Sequence, residues 1–329
     1  PIQKVILKND TTINPIWIMR QAGRYLPEFR EIRKNNPDFI NLCLNENLSS
    51  EITLQPLNRF DFDAAIIFSD ILMLPYALGQ KVQFEKNFGP RLGNFNIEDI
   101  EKVDENSFVK KIQNVYKAIN KVSSEIERKN KNLIGFVGAP WTLLVYMINQ
   151  QSPKKKLKEN FLKNQTLINK VLLIIEKFLK IHIKNQIDNG ADIIQIFDSW
   201  AGLLNETDLE KYIYIPTLNL VNYVKSLNVP VICFPREINN YKKFCETVNP
   251  DAVNIDYNVD PKKIYKDIKL PIQGGLDPKI LLSDKENLKK EAIRYLNIFK
   301  DHPYIFNLGH GVLPETNPEM VQYLVQMVK

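Results

Sequence analysis

Eight short apolar segments that alternate with helical patterns constrain the fold of this 329-residue chain more than any other feature. The segments are rich in β-branched residues and almost continuously apolar, a pattern typical of strands buried on both faces of a parallel sheet. They are IWIM (16–19), AAIIF (64–68), LIGFV (133–137), DIIQIF (192–197), VPVICF (229–234), AVNI (252–255), PIQGG (271–275) and YIFNLG (304–309).

The clearest helical pattern is 166–188, where apolar residues recur every three or four positions until Asn189-Gly190 ends it. The alternation continues along the chain without a linker rich in Gly, Ser or Pro. It therefore predicts one domain, 1–329, of the α/β class with a single (β/α)8 TIM-type barrel. Segments 20–63 and 71–132 are longer than a plain βα unit needs, so they are predicted to add extra helices and loops in the first half. A doubly wound open sheet is the alternative architecture.

The composition is that of a soluble globular protein, with 44% apolar and 25% charged residues. The net charge of +6 favours an anionic partner. However, the 44 Lys and Arg residues are scattered among 38 acids, so no nucleic-acid partner is predicted. A run of three lysines at 154–156 is predicted to be a solvated turn without a chemical role.

The sequence predicts a cytoplasmic protein that does not associate with membranes. Its longest nearly apolar run, 136–148, contains Gly138, Pro140 and Thr142 and is too short to cross a bilayer. The first residues lack the basic-then-apolar pattern of a signal peptide. Cysteines occur only at 43, 233 and 245, without CxxC spacing, which indicates neither a disulfide framework nor a thiolate metal site.

In a barrel of this type the chemistry lies at the carboxyl ends of the strands. The residues found there are Arg20, Ser69-Asp70, Gly138-Ala139-Pro140, Asp198-Ser199, Arg236, Asp256, Gly275 to Asp277, and His310. Asp70 and Ser199 could instead be helix caps. His310 lies between Gly309 and Gly311, which predicts an exposed loop rather than a core position.

The segment IWIMRQAGRYLPEFREIR (16–33) contains four arginines, at 20, 24, 30 and 33, and only two acids. A solvated helix face with an Arg24–Glu28 pair is the simplest interpretation. Arg20, however, directly follows a predicted strand, and the small residues Ala22 and Gly23 would allow close backbone approach to a ligand.

Metal-site and nucleotide motifs are missing from the sequence: it has no HExxH, no clustered His and Cys, no Walker loop and no GxGxxG after a strand. The sequence therefore favours an enzyme without metal or organic cofactor that acts on a small, multiply anionic substrate.

Several motifs along the chain resemble the uroporphyrinogen decarboxylase family. They are PIWIMRQAGRYLPEFREIR (15–33), TLQPLNRFDFDAAIIFSDIL (53–72), GFVGAPWTLLVYM (135–147), QIFDSWAG (195–202), IQGGLDP (272–278) and NLGHGVLPETNPE (307–319). The resemblance implies a TIM-type barrel, a homodimer and no cofactor. It also implies a carboxy-lyase of haem biosynthesis that converts the four acetate arms of uroporphyrinogen to methyl groups, giving coproporphyrinogen and CO2.

The resemblance also implies the residues of the site. Asp70, Arg20 and Tyr146 are expected to be catalytic, with Tyr146 orienting Asp70. The substrate is expected to contact Arg20, Gln21, Ala22, Gly23, Arg24, Arg33, Asp70, Tyr146, Ser199 and His310. The chain departs from the family pattern at Glu237, where a glycine is usual in bacteria, and at 254–257, which reads Asn-Ile-Asp-Tyr rather than Gly-Leu-Asp-Trp.

Three questions stay open at the level of sequence. The acid that protonates the pyrrole ring could be Arg20, a water or a substrate carboxyl group, since the pKa of arginine is high for a donor. A zinc-dependent methyltransferase of the same barrel superfamily is an alternative activity, although no His-x-Cys motif is present. A non-catalytic tetrapyrrole carrier is the alternative from another functional class.

Overall fold

A computed structural model describes residues 1–85, 88–126, 130–153, 157 and 161–329. The lysine run at 154–156 lies outside the described residues. The strands are β1 (Ala64–Ile66), β2 (Val82–Glu85), β3 (Gly89–Leu92), β4 (Asn132–Gly138), β5 (Ile193–Asp198), β6 (Val231–Pro235), β7 (Ala252–Ile255), β8 (Ile272–Gly274) and β9 (Tyr304–Ile305).

The α-helices are α1 (Ile2–Lys8), α2 (Pro27–Asn35), α3 (Phe39–Cys43), α4 (Glu46–Arg59), α5 (Met73–Ala77), α6 (Ile97–Glu101), α7 (Glu105–Glu125), α8 (Pro140–Asn149), α9 (Gln165–Asp188), α10 (Glu206–Leu209), α11 (Ile215–Ser226), α12 (Tyr241–Val248), α13 (Pro261–Asp267), α14 (Lys285–Ile298) and α15 (Pro318–Val328). Short 3-10 turns lie at Ala201–Leu203 and Pro278–Leu282, and a π-helical turn lies at Glu210–Tyr214.

The fold is α/β, with a curved parallel sheet covered by helices. Within the described residues the sheet has seven strands in the order β1-β4-β5-β6-β7-β8-β9, all parallel. Seven of the eight predicted strands are thereby confirmed. The extra helices predicted in the first half are also confirmed, as α2 to α7, and this region adds the antiparallel pair β2–β3, which was not predicted.

The prediction of a strand at 16–19 is wrong. Only Ile16 pairs with a neighbour, through a single parallel bridge to Phe306. The physical reason is that side chains accept hydrogen bonds from three of the four backbone N–H groups of this segment. These groups donate from Ile16 to Asp63 at 2.7 Å, from Ile18 to Gln21 at 3.2 Å and from Met19 to Asn307 at 3.0 Å.

Residues 15–18 nevertheless lie beside both outer strands of the sheet. On one side, the Phe306 N–H donates to the Pro15 carbonyl at 2.8 Å and the Trp17 N–H donates to the Phe306 carbonyl at 3.3 Å. On the other side, the N–H of Asp63, the residue before β1, donates to the Ile16 carbonyl at 2.8 Å. The segment therefore continues the hydrogen bonding of the sheet at each edge.

A cluster of buried side chains fills the inner face of the sheet, separately from the larger core between sheet and outer helices. Helix α1 contributes Ile2, Val5 and Ile6 to this inner cluster, which also contains Trp17 and residues from the strands. The Ile2 N–H donates to the Asn132 side chain at 2.9 Å, at the start of β4. Helix α1 thus covers the amino-terminal end of the sheet, which leaves the carboxyl ends of the strands as the open end.

In the described part of the chain, every helix is too short or too polar to span a lipid bilayer.

Candidate active site

Arg20 begins a tight turn at the open end of the sheet. Its backbone is left-handed, with φ of 62°, a conformation that a residue with a side chain adopts only when its surroundings require it. Gly23 makes the turn possible, because a Cβ atom there would lie 2.8 Å from the carbonyl oxygen of Arg20. Gly23, which belongs to the same segment predicted to bind substrate, therefore allows the left-handed backbone of Arg20.

Gln21 and Ala22 have different surroundings from the arginines beside them. The Gln21 side chain is fully buried and donates to the Ala64 carbonyl at 2.9 Å, while its oxygen accepts from Ile18. Ala22 is partly buried and packs against the main core. The Gln21 side chain thus attaches the Arg20 turn to the start of β1. Its amide nitrogen and oxygen both form hydrogen bonds within the protein.

The remaining arginines of segment 16–33 have separate roles. Arg24 is exposed, and Glu28, its predicted partner, pairs instead with Arg59 at 2.8 Å. Arg30 donates to the carbonyls of residues 24 and 25 and so stabilises the turn. Arg33 is partly buried, lies 5.6 Å from the ring of Phe39 and donates to the Asn36 carbonyl.

Asp70 follows β1 and has one carboxylate oxygen held by the protein. Its Oδ1 accepts the Leu72 N–H at 2.8 Å, in the turn before α5. The N-cap of α5 is Leu72, which receives no side-chain capping bond, so the alternative prediction that Asp70 caps this helix is wrong. Among the described residues Oδ2 has no hydrogen-bond donor and can accept one from a ligand. Burial raises the pKa of Asp70 to about 6, although the Leu72 N–H and the Arg20 guanidinium both act to lower it.

Arg20 and Asp70 lie near each other at the open end of the sheet. Both side chains reach solvent, yet protein atoms surround them closely enough to alter their pKa values. Burial lowers the pKa of Arg20, Asp70 opposes this effect, and the neighbouring positive charges of Arg24 and Arg236 add to it. The four guanidinium and carboxylate groups are therefore close enough to interact.

Tyr146, on α8, lies close enough to Asp70 and Arg20 for their charges to act on it. Its ring packs edge-on against Trp200, with 5.8 Å between ring centroids. Burial raises the pKa of Tyr146 to about 12, and the Asp70 charge acts in the same direction. No hydrogen bond joins Tyr146 to Asp70 among the described residues, so the contact that orients the Asp70 carboxylate is the Leu72 N–H.

His310 lies in the loop after β9 and has a defined tautomer. Its Nδ1 accepts the Gly311 N–H at 2.6 Å, so Nδ1 carries no proton and Nε2 is the donor. Burial, Arg236 and Arg20 together lower the pKa of His310 to about 3. The ring is therefore neutral near pH 7 and offers one N–H group to an anionic ligand.

Four of the predicted residues, Arg20, Asp70, Tyr146 and His310, form one interacting group, which we call the Arg20 cluster; Arg24 adjoins it through Arg20. Ser199 directly follows β5 at the same end of the sheet and is partly exposed, but within the described part of the chain no hydrogen bond joins it to this cluster. The charges of Arg33 and Asp70 act in opposite directions on the pKa of the buried Cys43 thiol, which burial raises.

Sequence reasoning left Arg236 out of the site, although it follows a predicted strand. The structure shows that its charge acts on both His310 and Arg20. Its partner is Asp256, which is buried at the end of β7, with 3.6 Å between Nε and Oδ1. The available sequence signal was the occurrence of Arg and Asp directly after neighbouring strands.

Within the described residues, no group of three or more His, Cys, Asp or Glu side chains is placed to hold a metal ion.

Comparison with known proteins identifies the family. The family model described as "Uroporphyrinogen decarboxylase (URO-D)" matches residues 1–329. The uroporphyrinogen decarboxylase of Rickettsia bellii (strain RML369-C) is 42% identical over 323 residues, covering 96% of this chain and 94% of that protein. That of Rickettsia felis (strain ATCC VR-1525 / URRWXCal2) is 40% identical over 329 residues, covering 98% and 95%.

A solved structure of a methyltransferase from Methanosarcina mazei has a similar fold. It superposes with a TM-score of 0.82 and covers 99% of this chain and 96% of its own, at 17% sequence identity. At that identity the likeness concerns the fold alone, whereas the matches along the sequence define the family. This chain belongs to the uroporphyrinogen decarboxylase family.

Proposed function

We propose that this chain decarboxylates uroporphyrinogen in haem biosynthesis and that Asp70 and Arg20 are at the centre of the reaction. As a member of this family the chain is a carboxy-lyase, and its products are coproporphyrinogen and CO2. One observation supports this choice of residues most directly. Asp70 lies near the guanidinium of Arg20, and one of its carboxylate oxygens accepts no hydrogen bond within the described structure.

The charge of the site suits the substrate. Uroporphyrinogen has four acetate and four propionate arms, and guanidinium groups bind carboxylates through two parallel hydrogen bonds. Arg20 and Arg24 would bind carboxylate arms of the substrate at the open end of the sheet. The His310 Nε2–H would be a neutral hydrogen-bond donor beside them. Ala22, Gly23, Arg33 and Ser199 remain proposed substrate contacts on the basis of family membership. For Gln21 the backbone is the part available to a ligand.

The substrate itself can supply the electron sink. Protonation of the ring carbon beside the acetate-bearing carbon gives a cationic pyrrole. The bond to the carboxylate then breaks, CO2 leaves, and its electron pair neutralises the ring. Proton addition to the resulting methylene carbon and proton loss from the ring carbon give the methyl group.

Asp70 would stabilise the cationic ring. Its Oδ2 can accept hydrogen bonds from pyrrole N–H groups, and its negative charge is preorganised where positive charge develops. Tyr146 would contribute through its position beside Asp70, although its role in orienting that carboxylate stays a prediction. The proton donor could be Arg20, or a water or substrate carboxyl group that Arg20 holds.

We also infer that the sheet closes into a single (β/α)8 barrel, with residues 15–18 in place of the eighth strand. The hydrogen bonds from this segment to Phe306 on one side and Asp63 on the other support closure. A homodimer and a cytoplasmic location are inferred from family membership. Light scattering after size exclusion tests the dimer, and cell fractionation tests the location.

The decisive experiment measures CO2 release from uroporphyrinogen by the wild-type chain, the Asp70→Asn variant and the control Asp188→Asn. Asp188 is exposed at the end of α9 and pairs with Lys184 at 2.6 Å, at the opposite end of the sheet. We expect kcat to fall by about 10² to 10³ in Asp70→Asn and to be unchanged in the control. Binding of the tetrapyrrole without CO2 release by the wild-type chain would instead support a carrier.

A further inference from the structure

Arg236 follows β6 at the open end of the sheet, and its backbone is held on both sides. Its N–H donates to the Asp198 carbonyl at 3.0 Å, and its carbonyl accepts the Gly202 N–H at 3.0 Å. Only 14% of its side chain is exposed. The guanidinium group is therefore confined to a small region beside the end of the sheet.

Two carboxylates contact this guanidinium group, and they differ in burial. Nη2 pairs with Oε1 of Glu237 at 2.5 Å, and Nε lies 3.6 Å from Oδ1 of Asp256. The Glu237 side chain is 51% exposed, whereas that of Asp256 is 1% exposed. An exposed ion pair contributes little to stability and exchanges readily, whereas a buried carboxylate cannot leave its partner without a large penalty.

Asp256 is fixed in place by groups other than Arg236. Its Oδ2 accepts the Tyr241 hydroxyl at 2.6 Å and the Glu237 N–H at 2.6 Å. Its Oδ1 and the Arg236 Nε are both buried and have no hydrogen-bond partner in the described structure. Asp256 therefore holds the Nε side of Arg236 by charge and leaves the Nη groups to other anions.

Glu237 occupies a position that disfavours a side chain. Its φ is 61°, in the left-handed region that glycine enters most readily. Gly202 lies against it, since a Cβ on Gly202 would be 2.5 Å from the Glu237 Cβ. The chain thus keeps an exposed carboxylate beside Arg236 in a strained backbone conformation.

The Arg236 site adjoins the Arg20 cluster. Gly309 packs against the end of β7, where a Cβ would lie 2.2 Å from the Tyr257 nitrogen and 2.8 Å from the Asp256 carbonyl carbon. His310 comes next, and Gly311 packs against the Arg20 side chain. The Arg236 charge also contributes to the lowered pKa values of His310 and Arg20. Arg236 and Arg20 therefore both lie near the loop formed by residues 309–311.

We propose that Arg236 binds one carboxylate arm of the substrate, an acetate or a propionate, and that this arm displaces Glu237. The proposal deepens the proposed function and rests on it. Asp256 keeps the guanidinium in place during the exchange, so it is a positioning residue. Glu237 is an internal competitor for the arm, which weakens substrate binding and promotes release of the product.

The exchange conserves charge at the guanidinium. One carboxylate leaves Nη2 for solvent and another takes its place, and no proton moves. Binding therefore changes in opposite directions when either member of the pair is removed. Loss of the Arg236 charge weakens binding, and loss of the Glu237 charge strengthens it.

The test compares Arg236→Gln and Glu237→Gln with the wild-type chain in two measurements. One is KM for CO2 release from uroporphyrinogen. The other is the Kd of uroporphyrin, the oxidised octacarboxylate, which cannot be turned over. We expect both constants to rise at least tenfold in Arg236→Gln and to fall severalfold in Glu237→Gln. The pair Arg294 and Glu291, joined at 2.9 Å on α14, supplies the matched controls Arg294→Gln and Glu291→Gln, which should change neither constant.

Unchanged constants in a folded Arg236→Gln protein would overturn the proposal. If that variant does not fold, because Asp256 is left buried without a cation, Glu237→Gln decides alone. Lower constants support the displacement, and unchanged or higher constants overturn it. A wild-type chain that releases no CO2 would remove the proposed function, while the uroporphyrin Kd of the variants would still report on Arg236.

Discussion

The α-carbon of Gly311 lies directly against the side chain of Arg20. A Cβ atom at position 311 would be 2.4 Å from the Arg20 Cδ and 2.8 Å from its Nε, closer than non-bonded atoms approach. The loop after β9 therefore restricts where the guanidinium can point, while the left-handed backbone at residue 20 restricts where the side chain begins. Two segments far apart in sequence position the same cation.

Gly311→Ala should displace the Arg20 side chain. Because a shift of about 1 Å in a positioning group can cost about 10²-fold in rate, we expect kcat/KM to fall by about that factor. Steady-state CO2 release measures it. Gly93→Ala is the control, since the nearest atom to its Cβ would be the Lys81 Cβ at 3.0 Å, beside the β2–β3 pair and away from Arg20. Equal loss in the two variants would contradict a specific effect on Arg20.

The pH dependence of kcat should follow Asp70. Its folded-state pKa is raised to about 6, so its ionised form, which stabilises the cationic ring, predominates above that pH and is lost as pH falls through it. We expect kcat to decline below about pH 6 in the wild-type chain. In Asp70→Asn the residual rate should have no such decline in this range. A decline with the same midpoint in the variant would assign the titration to another group.

His310 should stay neutral, with its proton on Nε2, throughout pH 5 to 8. The Gly311 N–H occupies Nδ1, and burial with Arg236 and Arg20 lowers the pKa to about 3. Nitrogen-15 NMR of the imidazole groups measures both properties, and the spectrum of His310→Asn identifies the signals. A His310 signal that titrates near pH 6.5 would contradict the described environment.

Arg20→Lys tests which group protonates the ring. Lysine keeps the positive charge but cannot bind a carboxylate through the same two parallel hydrogen bonds, so KM should rise by about tenfold or more. Solvent isotope effects and the pH–rate profile then report the proton-transfer step. Unchanged ring protonation in the variant would remove Arg20 as the acid and favour a water or a substrate carboxyl group.

Asp63→Ala should destabilise the protein, because the Asp63 carboxylate holds residues 15–18 beside β1. Its Oδ2 accepts the buried Ile16 N–H at 2.7 Å, and its Oδ1 accepts from Lys329 at 2.6 Å. Leaving that N–H unpaired should lower the free energy of unfolding by about 1 to 3 kcal/mol, measured by urea denaturation. The exposed neighbour Asp61 is the control, and Asp61→Ala should cost about 0.5 kcal/mol or less.

Local patterns predicted most of the sheet correctly. Seven apolar segments form parallel strands because continuous apolarity is sufficient to bury a strand on both faces. The segment IWIM has the same local pattern, yet three of its four N–H groups donate to the side chains of Asp63, Gln21 and Asn307. Two of those partners are 47 and 288 residues away, so no window of sequence contains them.

The structure brings together several of the residues that the family motifs point to, and their roles in binding and catalysis stay predictions. Arg20, Asp70, Tyr146 and His310 meet at one end of the sheet, whereas the Gln21 side chain is buried, which leaves its backbone for a ligand. Arg236 was recognised only as a residue after a strand. Its partner Asp256 directly follows the next strand, β7. Their pairing depends on the order of the strands in the sheet.

The sequence by itself determined the family, the α/β class and the residue types at the strand ends, because these depend on short patterns and motifs. Tertiary structure decided how the Arg20 side chain is positioned, which Asp70 oxygen is available, which His310 nitrogen carries the proton, and that Arg236 lies near Arg20 and His310. These properties arise from contacts between residues distant in the chain and from burial. Burial shifts the pKa of a group only after the strands have come together.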